Sequence, residues 1–337
     1  MTDEVMLFNI YKELEKLPKI KKCLYPDKEH CKGKIKRAHT IQNNKILISV
    51  SENGNLIALN GETIFGFQDY EKQGRGVAST FWGFCDYHDT VVFEPIENYD
   101  YDKSLKQTFL YTYRTFSWHY YLKKMQLNKN NYLQDKIPIN AESSEYFLGT
   151  LLGINDNKKL KEKFDKAILS NKYDIIKYYI WEMPFKIEFC CCGMVQLFKD
   201  LQGNDINNYD DIEDINKPMK NLFINIFPEK NKSYCIFSWM IDDFEYENFT
   251  LQFSKLTLKD KINYMNNMLP KETDKIFINP KLWDKWGNGI QQSFIEWANV
   301  SILLNAMQAE SQKQIKWKYS FVPWNLFDCS EKLKSNG

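Results

Sequence analysis

Apolar residues at 7, 10, 14 and 17 form the first helical stripe of the chain and predict a short amphipathic helix over 4–17, closed by Pro18. Residues 18–44 carry no such period and read as a basic loop. ILISVSENGNLIALNGETIFGF (46–67) is a set of short apolar runs broken by Asn-Gly at 53–54 and 60–61, the pattern of tight hairpins. The polar DYEKQGRGVAST (69–80) reads as a loop. FWGFCDYHDTVVFE (81–94) turns into a helix, which Pro95 should keep short by disfavouring helical geometry at Glu94.

After the polar NYDYDK (98–103), the best candidate for a domain boundary, the periods lengthen. A long helix is predicted over 104–127, with Leu105, Phe109, Tyr113, Phe116 and Tyr120 on one face, and further helix over 141–153 and 157–181. PFKIEFCCCGMVQLF (184–198), NLFINIF (221–227) and KSYCIFSWMI (232–241) are dense in aromatic and β-prone residues and read as buried strands. Residues 256–269 and 288–308 return to helix. The class expected is α+β, with a metal-binding module over 1–100 and a larger domain of antiparallel sheet with helices over 101–337.

Composition narrows the partners. With 45 basic and 44 acidic residues the net charge is +1, so the chain is no general coat for a polyanion, and nucleic-acid contact needs a local patch. One exists: residues 12–37 hold ten basic and four acidic side chains, a net +6. Lys34, Lys36 and Arg37 are its candidates for phosphate contact, and Tyr25 and Trp82 for base stacking. No apolar run approaches the roughly 18 residues that cross a bilayer, and MTDEVMLFNIYKELEK lacks the order of a signal peptide, so no membrane association and a cytoplasmic location are expected. Richness in Lys, Asn, Ile and aromatics has the character of AT-rich coding and points to a bacterial source.

Eight cysteines, three of them consecutive, suit reduced thiols better than a disulfide framework. Cys190, Cys191 and Cys192 read as small core residues, and the acidic DLQGNDINNYDDIEDIN (200–216) as a solvated loop without calcium-loop spacing. Arg114 and Trp118, four apart on the long helix, read as a clamp against the N-terminal module, with His119 off that line. Trp283 and Trp286 in FINPKLWDKWG (277–287) read as packing residues.

CLYPDKEHC (23–31) and GFCDYHD (83–89) carry the most distinctive chemistry. Cys23, Cys31, Cys85 and His88 are a thiolate and imidazole set that suits a closed, tetrahedral structural Zn²⁺ site, with His30 as a competing ligand. Loop, hairpin and helix start around one ion is the plan of a treble-clef finger.

His39, in KRAHTIQ after the cysteine pair, extends this plan. A treble clef with a histidine on its hairpin resembles the HNH endonucleases. The short HTI, the later FC-x-x-HD and PIE also resemble an uncharacterised family of bacterial proteins; the likeness covers residues 20–97. The resemblance implies that His39 activates water and that Asp89, Glu94 or Glu97 holds a catalytic Mg²⁺ or Mn²⁺, since the helix lacks the asparagine and final histidine of the HNH pattern. It implies a metal-dependent nuclease acting on DNA or RNA, in a bacterial anti-phage setting. The alternative is a non-catalytic zinc-stapled module whose α+β body recognises a ligand or protein partner.

Overall fold

The computed structural model describes residues 10, 12–14, 16–59, 69–136, 141–208, 211, 214–273, 275–299 and 321–328. The described part of the first predicted helix is helical and breaks at Leu17, before Pro18. Among the described residues nine strands follow: β1 Ile35–His39, β2 Asn55–Leu59, β3 Tyr70–Gly74, β4 Thr80–Cys85, β5 Ile176–Met183, β6 Phe189–Val195, β7 Leu222–Glu229, β8 Lys232–Met240 and β9 Lys275–Ile278. The principal helices are α1 Asp86–Glu97, α2 Leu105–Gln134, α3 Ala141–Ser170, α4 Phe244–Ser254, α5 Leu258–Glu272 and α6 Pro280–Ala298.

The fold is α+β, as expected. Seven strands form an antiparallel sheet in the order β3-β2-β9-β6-β7-β8-β5. Alternation along its strands divides the core. Cys190 and Cys192 of β6 join the cluster that includes α2 and α3, whereas Cys191 faces the cluster built with α4, α5 and α6. The three thiols are 0–1% exposed, so the triple cysteine is core, as its period of two predicts.

Helix α2 fills the space between the sheet and the N-terminal segment. Ser104 caps it by accepting from Gln107 N at 3.2 Å. Three of its buried hydroxyls are satisfied locally or by the sheet: Thr112 meets Ser238 at 2.7 Å, Thr115 donates to Asn225 at 2.9 Å, and Ser117 donates to the Tyr113 carbonyl at 2.7 Å. Trp118 packs edge-on against Phe81 of β4, and Arg114 lies over Phe93 of α1, so this pair clamps the N-terminal segment as predicted. His119 instead accepts from Met194 N at 2.9 Å.

Several expectations change. Residues 18–44 contain β1, which pairs with β4 across a register shift between Lys36 and Ala38. The hairpin expected over 46–67 is a helical turn followed by β2; Asn53 and Gly54, both at positive φ, make the predicted turn between Glu52 and Asn55. The Asn-Gly at 60–61 lies outside the described residues. The polar 69–80 segment is not all loop: it supplies β3, whose charged side chains suit a sheet edge. The helix predicted over 157–181 stops at Ser170, and its tail is β5. Helix α1 does not stop at Glu94; it runs to Glu97, and Pro95 in its last turn forgoes only the bond its N–H would make to the carbonyl four residues back. The last helix starts at Pro280, capped by Asn279, with a kink at Gly287; residues 300–308 of the predicted span lie outside the described residues.

The NYDYDK connector is pinned. Tyr101 N donates to the Glu229 carboxylate at 3.0 Å, its hydroxyl meets Thr108 at 2.7 Å, and Gln107 donates to the Asp100 carbonyl at 3.0 Å. The sheet also crosses this point, since Ile57 and Ala58 of β2 pair with Ile278 and Phe277 of β9. Among the described residues no helix is long and apolar enough to cross a membrane.

Candidate metal centre and adjoining pocket

One loop, a strand end and a helix start converge on one point. Cys23 and Cys31 come from the loop before β1; Cys85 ends β4 and caps α1; His88 lies in the first turn of α1. Their ligand atoms all lie within 4.8 Å of one another. His88 Nδ1 is 3.5 Å from Cys23 Sγ, 3.6 Å from Cys31 Sγ and 3.3 Å from Cys85 Sγ. An ion holding thiolates at about 2.3 Å and imidazole nitrogen at about 2.0–2.1 Å in a tetrahedron separates sulfur from nitrogen by about 3.6 Å. The donor set therefore fits a tetrahedral metal ion.

The local backbone explains the convergence. Leu24 N donates to the Gly83 carbonyl at 2.7 Å, tying the loop to β4. Asp86 N donates to the Lys34 carbonyl at 3.0 Å, joining the start of α1 to the approach to β1. Gly33 makes the turn at φ +75, and a Cβ there would meet the Asp86 Cβ at 2.8 Å, so this position demands glycine twice over. Tyr25 stacks on the His88 ring with centroids 4.3 Å apart. His30 stands apart from the cluster, its Nδ1 2.5 Å from Asp27 Oδ2, which leaves the four predicted ligands as the group.

Electrostatics suit a cation. Burial raises the Cys31 thiol, and the neighbouring Cys23 and Cys85 sulfurs push it further, to about 11. Burial also opposes charge on Cys85, but the N–H groups of His88 and Lys32 and the other thiols outweigh it and hold the thiol below its ordinary value. Burial keeps His88 below its ordinary value, favouring the neutral ring that can ligate. Three sulfurs packed together repel as thiolates, and a divalent ion relieves that repulsion.

Beside this centre lies a cavity of about 240 Å³ between β1, α1 and α2. It brings together five sequence-predicted groups, Lys36, His39, Asp89, Glu94 and Glu97, with Arg114. His39, at the end of β1, has its Nδ1 2.8 Å from Ser79 Oγ. Burial, reinforced by Arg114, depresses His39 to about 4, so it is a neutral imidazole near pH 7. Lys36 Nζ lies 3.3 Å from Asp89 and 3.4 Å from Asp86. Arg114 Nη2 bonds Glu97 Oε1 at 2.6 Å, which makes Glu97 a counter-ion and leaves Asp89 and Glu94 as the acidic candidates.

The predicted contact surface is more occupied than its composition suggests. Trp82 is approached by Lys21 at 4.5 Å and Arg37 at 5.5 Å, and one face of Tyr25 is covered by His88. Neither ring is a bare platform for a base. Lys36 is held by carboxylates, whereas Lys34 and Arg37 are exposed.

Sequence reasoning placed neither Ser79 beside His39 nor Arg114 in this pocket. Ser79 carried no signal. Arg114 did: only three of the 45 basic residues are arginines, at 37, 75 and 114.

Comparison with known proteins finds no matching family model, no matching curated protein and no matching solved structure.

Proposed function

We propose that this protein is a zinc-stapled, HNH-like metal-dependent phosphodiesterase acting on nucleic acid. One observation carries the reading: a neutral, half-buried histidine at the end of β1 shares a pocket with two helix carboxylates, directly beside a Cys₃His cluster. Zinc is the preferred ion for the cluster because sulfur-rich tetrahedral sites select it.

His39 is the general base. Ser79 fixes the ring by its Nδ1, and the pocket-facing imidazole accepts a proton from the attacking water. Asp89 and Glu94 would hold a divalent ion, Mg²⁺ or Mn²⁺, as hard oxygen donors. Such an ion supplies charge stabilisation for the phosphoryl and leaving oxygens. Lys36 meanwhile holds Asp89 in place through an ion pair at 3.3 Å. Lys34 and Arg37 offer phosphate contacts outside the pocket.

A second reading rests on the same lysine. Lys36 already neutralises Asp89, so the pocket can be charge-balanced without a second ion. The protein is then a zinc-stapled module that binds nucleic acid or a protein without cleaving it.

The test is direct. Purified protein is assayed for bound zinc and incubated with plasmid DNA and with RNA, with and without Mg²⁺ or Mn²⁺. Metal-dependent cleavage that disappears in His39→Ala supports the phosphodiesterase. Binding without cleavage under either ion supports the module.

A further inference from the structure

The pocket contains one group that the hydrolysis proposed above leaves unused. Arg114 is 3% exposed, and its Nη2 is bonded to Glu97. Its Nε and Nη1 have no hydrogen-bond partner among the described residues. Buried donors left without an acceptor are costly, and an arginine is the costliest kind because it cannot discharge itself. Its plane is nonetheless fixed, by Glu97 on one side and by the Phe93 ring 4.2 Å from the guanidinium carbon. A rigid guanidinium with two buried donors left unpartnered is complementary to an oxyanion that reaches it.

Composition points the same way. A chain that uses lysine almost throughout keeps arginine at three positions. Arg114 lines the pocket, and Arg75 donates at 2.6 Å to Asn43, another lining residue. Lys36, the other cation in the lining, is engaged by Asp86 and Asp89. Arg114 is therefore the pocket cation with donors to spare.

Size restricts the ligand. A cavity of about 240 Å³ lies below the about 300–1,000 Å³ of sites that enclose a drug-sized molecule. It suits a phosphate group with an ion or a few waters, leaving the bases outside.

We propose that Arg114 anchors the scissile phosphodiester by donating from one of its unpartnered nitrogens to a non-bridging oxygen, so that the pocket reads the backbone and not the bases. This rests on the phosphodiesterase reading and names the group that holds its substrate. The long helix α2 thereby supplies a substrate contact that the finger segment lacks by itself.

The small number of arginines makes the test selective. Protein labelled with ¹⁵N-arginine gives three Nε–H resonances to assign, by Arg37→Lys and Arg75→Lys. The full chain is titrated at fixed ionic strength with inorganic phosphate, then with the dinucleotide dTpdT, with and without Mg²⁺. The Arg114 resonance should shift saturably with the dinucleotide while that of Arg37 stays within its salt response. Arg114→Gln should weaken dinucleotide binding by about tenfold or more, as expected for lost charge-assisted hydrogen bonds. Glu97→Gln should tighten it, by freeing the third nitrogen and removing a negative charge. A purely structural clamp predicts no such gain.

An unmoved Arg114 resonance in wild-type protein that still cleaves DNA overturns this assignment and spares the phosphodiesterase. A shifted resonance with no cleavage under any ion keeps the anion site and removes the enzyme. Because the resonance is read in wild-type protein, misfolding of Arg114→Gln leaves the test intact.

Discussion

Cys85 Sγ and His88 Nδ1 stand 3.3 Å apart across the first turn of α1, and both atoms face the loop that carries Cys23 and Cys31. A helix start is thus cross-linked to a loop more than fifty residues earlier through atoms that carry no covalent bond to one another. One metal ion per chain is expected by elemental analysis, with zinc dominant. Stripping it with a chelator should lower the thermal midpoint. Cys85→Ser should do the same and abolish metal retention, since structural zinc contributes on the order of 10 kcal/mol to such segments. Protons compete for the thiols, so zinc affinity measured by competition should fall as pH falls. An unchanged midpoint after complete stripping would exclude a structural role.

His39 offers a pH signature. Its folded value is depressed to about 4 from 6.5, chiefly by burial. Between those values the unfolded chain binds the proton and the folded chain does not. Folding stability from this group is therefore full above 6.5 and is lost as pH falls toward 4. The chain has only four histidines, so ring-proton NMR can follow His39 directly, assigned by His39→Ala. A midpoint near 6.5 would contradict the burial described for it.

Catalysis gives graded expectations. His39→Ala should reduce cleavage by about 10²–10⁴-fold, the range for removing a general base. Asp89→Asn should raise the Mg²⁺ or Mn²⁺ needed for half-maximal rate. Ser79→Ala should cost less than His39→Ala, because it removes an orienting contact and not the base. Equal rates for wild type and His39→Ala, from matched preparations, would remove His39 from the mechanism.

Phe84 is where packing and site meet. It is fully buried on β4 and packs against Phe81, Phe93 and Tyr113, so it joins β4, α1 and α2. Phe84→Ala should destabilise the protein by about 3–5 kcal/mol in denaturant unfolding, the usual cost of an emptied aromatic site.

The sequence disclosed these parts unequally. The four ligands were legible because the first 100 residues hold few other cysteines or histidines and each pair is close in sequence. Strands β6, β7 and β8 were legible because they are buried and dense in β-prone residues. The pairing of β1 with β4 was not, because forty residues of other structure intervene and nothing local sets that register. Strand β5 was hidden because the helical period of α3 continues into it, and side-chain spacing alone did not mark the break near residue 171. Arg114 reaches the pocket, and Ser79 reaches His39, only through tertiary packing, which leaves no local pattern.

The segment between β1 and β4 carries β2 into the large sheet, where it pairs with β9, residues 275–278. During synthesis the metal ligands emerge well before that partner strand does. The N-terminal segment can therefore gather its ion early yet must keep the inner edge of β2 unpaired until residues 275–278 have emerged. Long-range pairing of this kind carries a high loop-closure cost and sets slow folding steps. A slow phase that outlasts metal uptake, and that reports on β2 rather than on the thiols, is the kinetic imprint this topology should leave.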